Sequence, residues 1–172
     1  MNTIIENIIS RRSCRKFTDE EIKKEDIDLI LKVAIYAPSA KNIQSWQFTV
    51  ISDKAKISEL CKIIGKVLER ENYNMYNPKV LILASNENEN EYGLADCACA
   101  LENMFLAATS IGIGSCWINQ LKLICDDMEV RDFLNKIKVP ANHTVWGIAA
   151  LGYPDGKMKS NEKDTSKIVF VD

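Results

Sequence analysis

Histidine is nearly missing from this chain: His143 is the only one in 172 residues. A zinc site of several imidazoles and a Ser-His relay both lose their main ingredient, and no G-x-S-x-G surrounds any serine. Six cysteines are present (14, 61, 97, 99, 116 and 125), but none forms a C-x-x-C pair. Cys97 and Cys99 lie two apart in a helical stretch, so their side chains diverge and cannot chelate one ion. The opening Met1-Asn2-Thr3-Ile4-Ile5-Glu6 has no basic region followed by an apolar stretch, so no export signal is expected and the address is cytoplasmic. Without an oxidising compartment, the cysteines read as small buried apolar residues rather than disulfides.

Long hydrophobic runs are also lacking. Asn103 to Leu121 carries no charge over 19 residues, close to the length of a membrane span. Its Asn103, Thr109, Ser110, Asn119 and Gln120 are too polar for lipid, so no membrane partner is expected. Neither sign of charge dominates. Twenty-two Lys and Arg against 24 Asp and Glu leave a net charge of −2, with no basic field for nucleic acid. There is no phosphate-cradling G-x-x-x-x-G-K-[ST] motif, and Gly112-x-Gly114 lacks the third glycine of a dinucleotide fingerprint. An enzyme built this way needs a cofactor to carry its reactivity.

What is present is an ordinary globular composition, 47% hydrophobic and 27% charged, of a size that makes residues 1–172 a single domain. Hydrophobic spacing predicts helices over 3–10, 24–36, 54–70 and 94–111, and a polar-faced one over 126–135. Strands are predicted over 46–51, 80–84, 144–151 and 168–171, with a short one after Gly114. Thr18 and Glu21 have the spacing of a capping box. The 94–111 helix is apolar nearly all round, with Asp96 and Glu102 as its only charges, and must be covered on nearly all sides, at the centre of the fold or inside a subunit contact.

Three segments hold candidate chemistry. Arg11-Arg12-Ser13-Cys14-Arg15-Lys16 places four cations in six positions. It reads either as a solvated helix end or as a phosphate and ribityl site, since guanidinium forks pair with phosphate oxygens. Pro38 to Ser45 contains common turn residues. Gly112 to Asn119 is a glycine turn into a strand, which also suits a helix C-cap.

In this order the segments resemble one family. Arg11-Arg12-Ser13-x-Arg15-x-Phe17, Ala37-Pro38-Ser39-Ala40-x-Asn42-x-Gln44-x-Trp46, Gly112-Ile113-Gly114-Ser115-Cys116-Trp117-Ile118 and Leu151-Gly152-Tyr153-Pro154 are similar to the FMN-dependent nitroreductases, over about residues 4 to 171. The resemblance implies an α+β fold with a mixed, mainly antiparallel sheet flanked by helices, in an interlocked homodimer with FMN between the subunits. It implies that Arg11, Arg12, Ser13 and Arg15 hold the phosphate, ribityl chain and pyrimidine edge. Pro38, Ser39, Ala40 and Asn42 would approach from the other subunit, Trp117, Ile118 and Asn119 would follow the N5 and O4 side, and Lys163 would meet the phosphate. It further implies NADH or NADPH as donor, ping-pong hydride transfer through N5, and a nitroaromatic, quinone or similar small-molecule acceptor, with no protein acid or nucleophile. Departures from the family are Lys41, Ser45 before Trp46, Asn119 in place of glycine, and Glu162 where the phosphate-binding arginine falls, so that Lys163 or Lys159 would substitute. Two other readings stay open: an FMN-binding sensor or store of the same fold without NAD(P)H turnover, and a thiol or metal redox protein using Cys97, Cys99 and Cys116.

Overall fold

The core strand is the most apolar run of the sequence, Val80 to Ala84, at most 1% exposed along its length. A run buried on both sides must have layers on both faces of its sheet. The computed structural model describes residues 2–158 and 163–171, and shows that arrangement. Strands β1 (Trp46–Ile51), β2 (Val80–Glu87), β3 (Gly114–Ile118) and β4 (His143–Gly152) form a sheet in the order β1-β2-β4-β3. Every neighbouring pair is antiparallel, and among the described residues the one parallel contact is an isolated bridge between Ser13 and Ser115.

Successive strand residues face opposite layers. Leu81 and Leu83 join Ile57, Leu60 and Ile64 of helix α3 (Lys54–Val67) and Val130, Phe133 and Leu134 of helix α5 (Met128–Lys136). Val80, Ile82 and Ala84 turn the other way, onto Ile30 and Ala34 of helix α2 (Lys24–Ala34) and onto Cys97, Ala100, Leu101 and Met104 of helix α4 (Gly93–Ser110). Leu101 and Met104 are fully buried, each contributing about 1.5–3 kcal/mol of hydrophobic stabilisation. Asp53 and Asp127 cap α3 and α5 by accepting backbone N–H bonds, which sets the start of α5 at Met128 rather than 126.

Helix α1 (Thr3–Ser10) forms as predicted and is tied to α4 by Asn7 Nδ2–H donating to Leu106 O at 2.9 Å, while Ile4, Ile5, Ile8 and Ile9 are 48–70% exposed. Two expectations need correction. The capping box is absent, because α2 begins only at Lys24 and Thr18 Oγ1 reaches no more than the Glu20 N–H at 3.4 Å. The 168–171 segment is not a strand. No other described strand lies beside it, so Ile168, Val169, Phe170 and Val171 stay exposed. Within one chain helix α4 is covered on one side, with Leu94 and Cys99 exposed on the other.

Candidate active site

The cation segment is seated by a pair of glycines. Gly114 and Gly152 face each other across β3 and β4. A Cβ on Gly114 would stand 2.8 Å from the Cβ of Cys14, and one on Gly152 would stand 2.8 Å from the ring of Phe17. Only bare backbone admits residues 13–17 this close. The segment is then pinned by Cys14 N–H to Ser115 O at 2.8 Å, Thr18 N–H to Tyr153 O at 2.9 Å and Asp155 N–H to Lys16 O at 2.9 Å. Gly112, with φ of +78°, ends α4, so the glycine turn serves as a C-cap while Gly114 makes room for Cys14.

Around this seat lies a cavity of about 680 Å³ lined by Arg11, Arg12, Arg15, Lys16, Lys157 and Lys163, with Asp155 as its only carboxylate among the described residues. In a chain of net charge −2, this is a strong local concentration of positive charge. Lys16 is held by Asp155 at 2.6 Å, and Arg11 by Glu102 of α4 at 3.3 Å. Arg12 turns one terminal nitrogen, Nη1, onto the carbonyls of both Ile9 and Arg11, at the end of α1. Its Nε–H is buried with no acceptor among the described residues. A buried guanidinium donor lacking an acceptor, in a cavity rich in cations, fits the phosphate of FMN.

Arg15 extends along β3. Burial pushes the Cys116 thiol above its ordinary range, while the neighbouring Arg15 guanidinium pulls it down and Cys14 adds to the rise. Trp117 turns towards α4, its ring centroid 6.2 Å from that of Phe105, Ile118 is buried on the opposite face, and Asn119 is exposed beyond the strand. Thus Arg11, Arg12, Ser13, Arg15 and Lys163 come together around one cavity, with Trp117, Ile118 and Asn119 following the adjoining edge strand. Lys159 and Glu162 lie outside the described residues.

Pro38, Ser39, Ala40 and Asn42 are elsewhere. Their loop leads into Trp46, which pairs with Asn86, whereas the cation segment adjoins Ser115, which pairs with Leu151 and so with the Val80 end of β2. The two segments thus occupy opposite ends of a sheet about 20 Å long, at 3.4 Å per residue. The loop is a tight polar knot with a single 3₁₀ turn at Ala40–Asn42, and Lys41, Asn42 and Gln44 take φ of 52°, 56° and 54°.

The structure also adds a loop that the sequence reading passed over. Tyr76 places its ring 5.9 Å from the Arg15 guanidinium carbon, and Arg70, Asn72, Asn74 and Tyr76 enclose a cavity of about 510 Å³ with Ile118 and Gln120. Asn72, Met75, Tyr76 and Asn77 all have positive φ, a left-handed conformation that costs about 1–2 kcal/mol per ordinary residue. Three asparagines in 72–77 were the available signal.

The cysteines diverge as their spacing requires, with Cys97 buried and Cys99 exposed on α4, and burial pushes the Cys97 thiol up to about 12. Among the described residues no three His, Cys, Asp or Glu side chains converge as a metal site, and no helix is long and apolar enough to cross a membrane.

Comparison with known proteins gives this geometry a context. The chain superposes on a nitroreductase with bound FMN from Bacteroides fragilis with a TM-score of 0.93, at 38% identity over the full length of both chains. It matches an FMN-dependent nitroreductase from Clostridium difficile at 31% identity and a TM-score of 0.82, covering 96% of this chain and 98% of that one. An FMN reductase (NADPH) of Bacillus subtilis is 29% identical over 153 residues, 77% of this chain and 61% of its own. The model of the Nitroreductase family matches residues 8–153, and the chain belongs to that family.

Proposed function

We propose that this chain is an FMN-dependent NAD(P)H oxidoreductase of the nitroreductase type, working as a cytoplasmic homodimer whose single domain, residues 1–172, binds one FMN per protomer. The observation that carries the reading is the buried Arg12 Nε–H without an acceptor, beside five further cations in one cavity.

In this arrangement Arg11, Arg12, Ser13 and Lys163 would hold the phosphate and ribityl chain. Arg15, steadied by the Tyr76 ring, would stand at the pyrimidine edge, and Trp117, Ile118 and Asn119 would border the ring system. The chemistry that FMN supplies when bound is hydride exchange, from NADH or NADPH and then to a nitroaromatic, quinone or similar acceptor. The protein's share is orientation and charge. Arg15 would favour negative charge at the pyrimidine edge by Coulomb attraction, less the cost of desolvation. No side-chain acid is called for. The only imidazole, His143, is buried at the far end of the sheet against Ser85 Oγ at 3.1 Å.

The second protomer is supported by apolar surface without cover. The isoleucines of α1, Leu94 of α4, Ile35, Tyr36 and the tail residues Ile168 to Val171 are all more than 40% exposed. A second copy would cover such surface and bring its own Pro38, Ser39, Ala40 and Asn42 to a cavity that the loop cannot reach in its own chain. Anaerobic addition of NADH or NADPH to FMN-loaded protein should bleach the visible flavin band, and a nitroaromatic should restore it. A yellow protein that neither donor bleaches would instead be a flavin-binding protein without turnover.

A further inference from the structure

Helix α4 has two charged side chains in 18 residues, and each ties down a different segment. Glu102 holds Arg11. Asp96, six residues earlier and 3% exposed, has no cation within salt-bridge distance among the described residues. Its Oδ1 accepts the backbone N–H of Ala40 at 2.9 Å and its Oδ2 accepts the side-chain amide of Asn90 at 3.1 Å. The same Asn90 amide donates to Ser45 Oγ at 3.1 Å, and the Ser45 hydroxyl donates to Asn86 Oδ1 at 2.7 Å. Asp96 therefore grips the 38–46 loop near both ends, directly at Ala40 and through Asn90 at Ser45.

Between those grips lie Lys41, Asn42 and Gln44, all in left-handed backbone that a free loop of such residues would leave. A buried carboxylate is a costly way to hold a loop. Its charge is helped by the first turn of α4 and by the two N–H donors. Asparagine could not replace it, because both oxygens face donors and an amide offers one acceptor atom. Flipping Asn90 to compensate would break the bond from Tyr92 N–H to its Oδ1 at 2.9 Å.

We infer that Asp96 is a positioning residue for the flavin site across the dimer, fixing Pro38–Asn42 of its own chain in the shape that meets the partner's cofactor. This rests on the shared FMN site proposed above. One helix then carries the anchor for each of two sites: Glu102 for the cavity of its own chain and Asp96 for that of the partner, about 9 Å apart along the axis.

The test uses full-length protein and FMN. Asp96→Asn should raise the FMN dissociation constant about 10-fold or more and change the visible circular dichroism of bound flavin. The double variant Asp96→Asn/Asn90→Asp re-forms the 96–90 bond with donor and acceptor exchanged, but the Ser45 hydroxyl must turn from Asn86 Oδ1 to the new carboxylate, so affinity should recover in part, to clearly above that of Asp96→Asn alone. Asp96→Asn homodimers should then be dissociated and reassociated with Arg15→Ala homodimers. A mixed dimer holds one intact site only if the loop works in trans, so random mixing should recover about a quarter of wild-type activity. Wild-type affinity and dichroism in Asp96→Asn, or no recovery on mixing, would overturn the inference. If Asp96→Asn does not fold, Ser45→Ala releases the other end of the loop and replaces it in both measurements. A wild-type chain that takes up no FMN defeats the shared-site reading and this inference with it, whereas FMN uptake that is insensitive to Asp96 and Ser45 defeats the inference alone.

Discussion

The two ends of the sheet are built to opposite rules. At the Gly114 and Gly152 end, six cations share a cavity with one carboxylate among the described residues, and Arg12 has a buried donor that none of them accepts. At the Trp46 end, the 38–46 loop is held by polar contacts within its own chain, through Asp96, Asn90, Ser45 and Gln44. The first end gathers charge suited to a phosphate. The second holds one fixed shape. About 20 Å of sheet keeps them apart, so an active site drawing on both, as proposed above, would take one end from each of two chains, and the following measurements bear on each end separately.

The largest effect should come from the cation end. Arg12→Ala removes a charge-assisted donor to phosphate, worth about 1.5–3 kcal/mol, so the FMN dissociation constant should rise about 10- to 100-fold in a fluorescence titration. The apoprotein should melt slightly below wild type, since the change removes the Nη1 bonds to the Ile9 and Arg11 carbonyls but no bond of the Nε–H. Unchanged FMN affinity would detach the cavity from the cofactor. Arg15→Ala should act on the electronics: the two-electron potential of bound FMN should fall by some tens of millivolts, at about 30 mV per 1.4 kcal/mol for a two-electron couple. An unchanged potential at full occupancy would remove Arg15 from the pyrimidine edge.

The smallest effect belongs to the loop end and to pH. Burial holds His143 below its ordinary value of 6.5, with Arg131 lowering it further and Glu87 opposing. The unfolded chain thus takes up a proton before the folded one does, and stability is lost as pH falls below about 6.5. The melting temperature should decline between pH 7 and 5, and His143→Gln should flatten that decline.

What could be read from the residue order follows from how local each signal is. The apolar run of β2, the periodic faces of α2 and α3 and the span of α4 were legible because burial repeats along the chain itself. The cation cluster was legible as composition. Its seat was not, because Gly114 meets Cys14 and Gly152 meets Phe17 across more than 90 residues of sequence. Nor was the role of Asp96, visible only as an odd charge in an apolar helix, since its partner Ala40 lies 56 residues away. The 69–77 loop was missed because its left-handed backbone falls on Met75 and Tyr76 as well as on asparagines. The tail strand failed because strand pairing needs a neighbour, and alternation of side chains does not supply one.

The measurement that bears most directly on a two-chain flavin site is FMN stoichiometry as a function of association state, followed by sedimentation with absorbance in the visible flavin band. The account predicts one FMN per chain sedimenting with the dimer, and loss of flavin from whatever fraction dissociates on dilution. A monomer that sediments with stoichiometric, tightly bound FMN would contradict it.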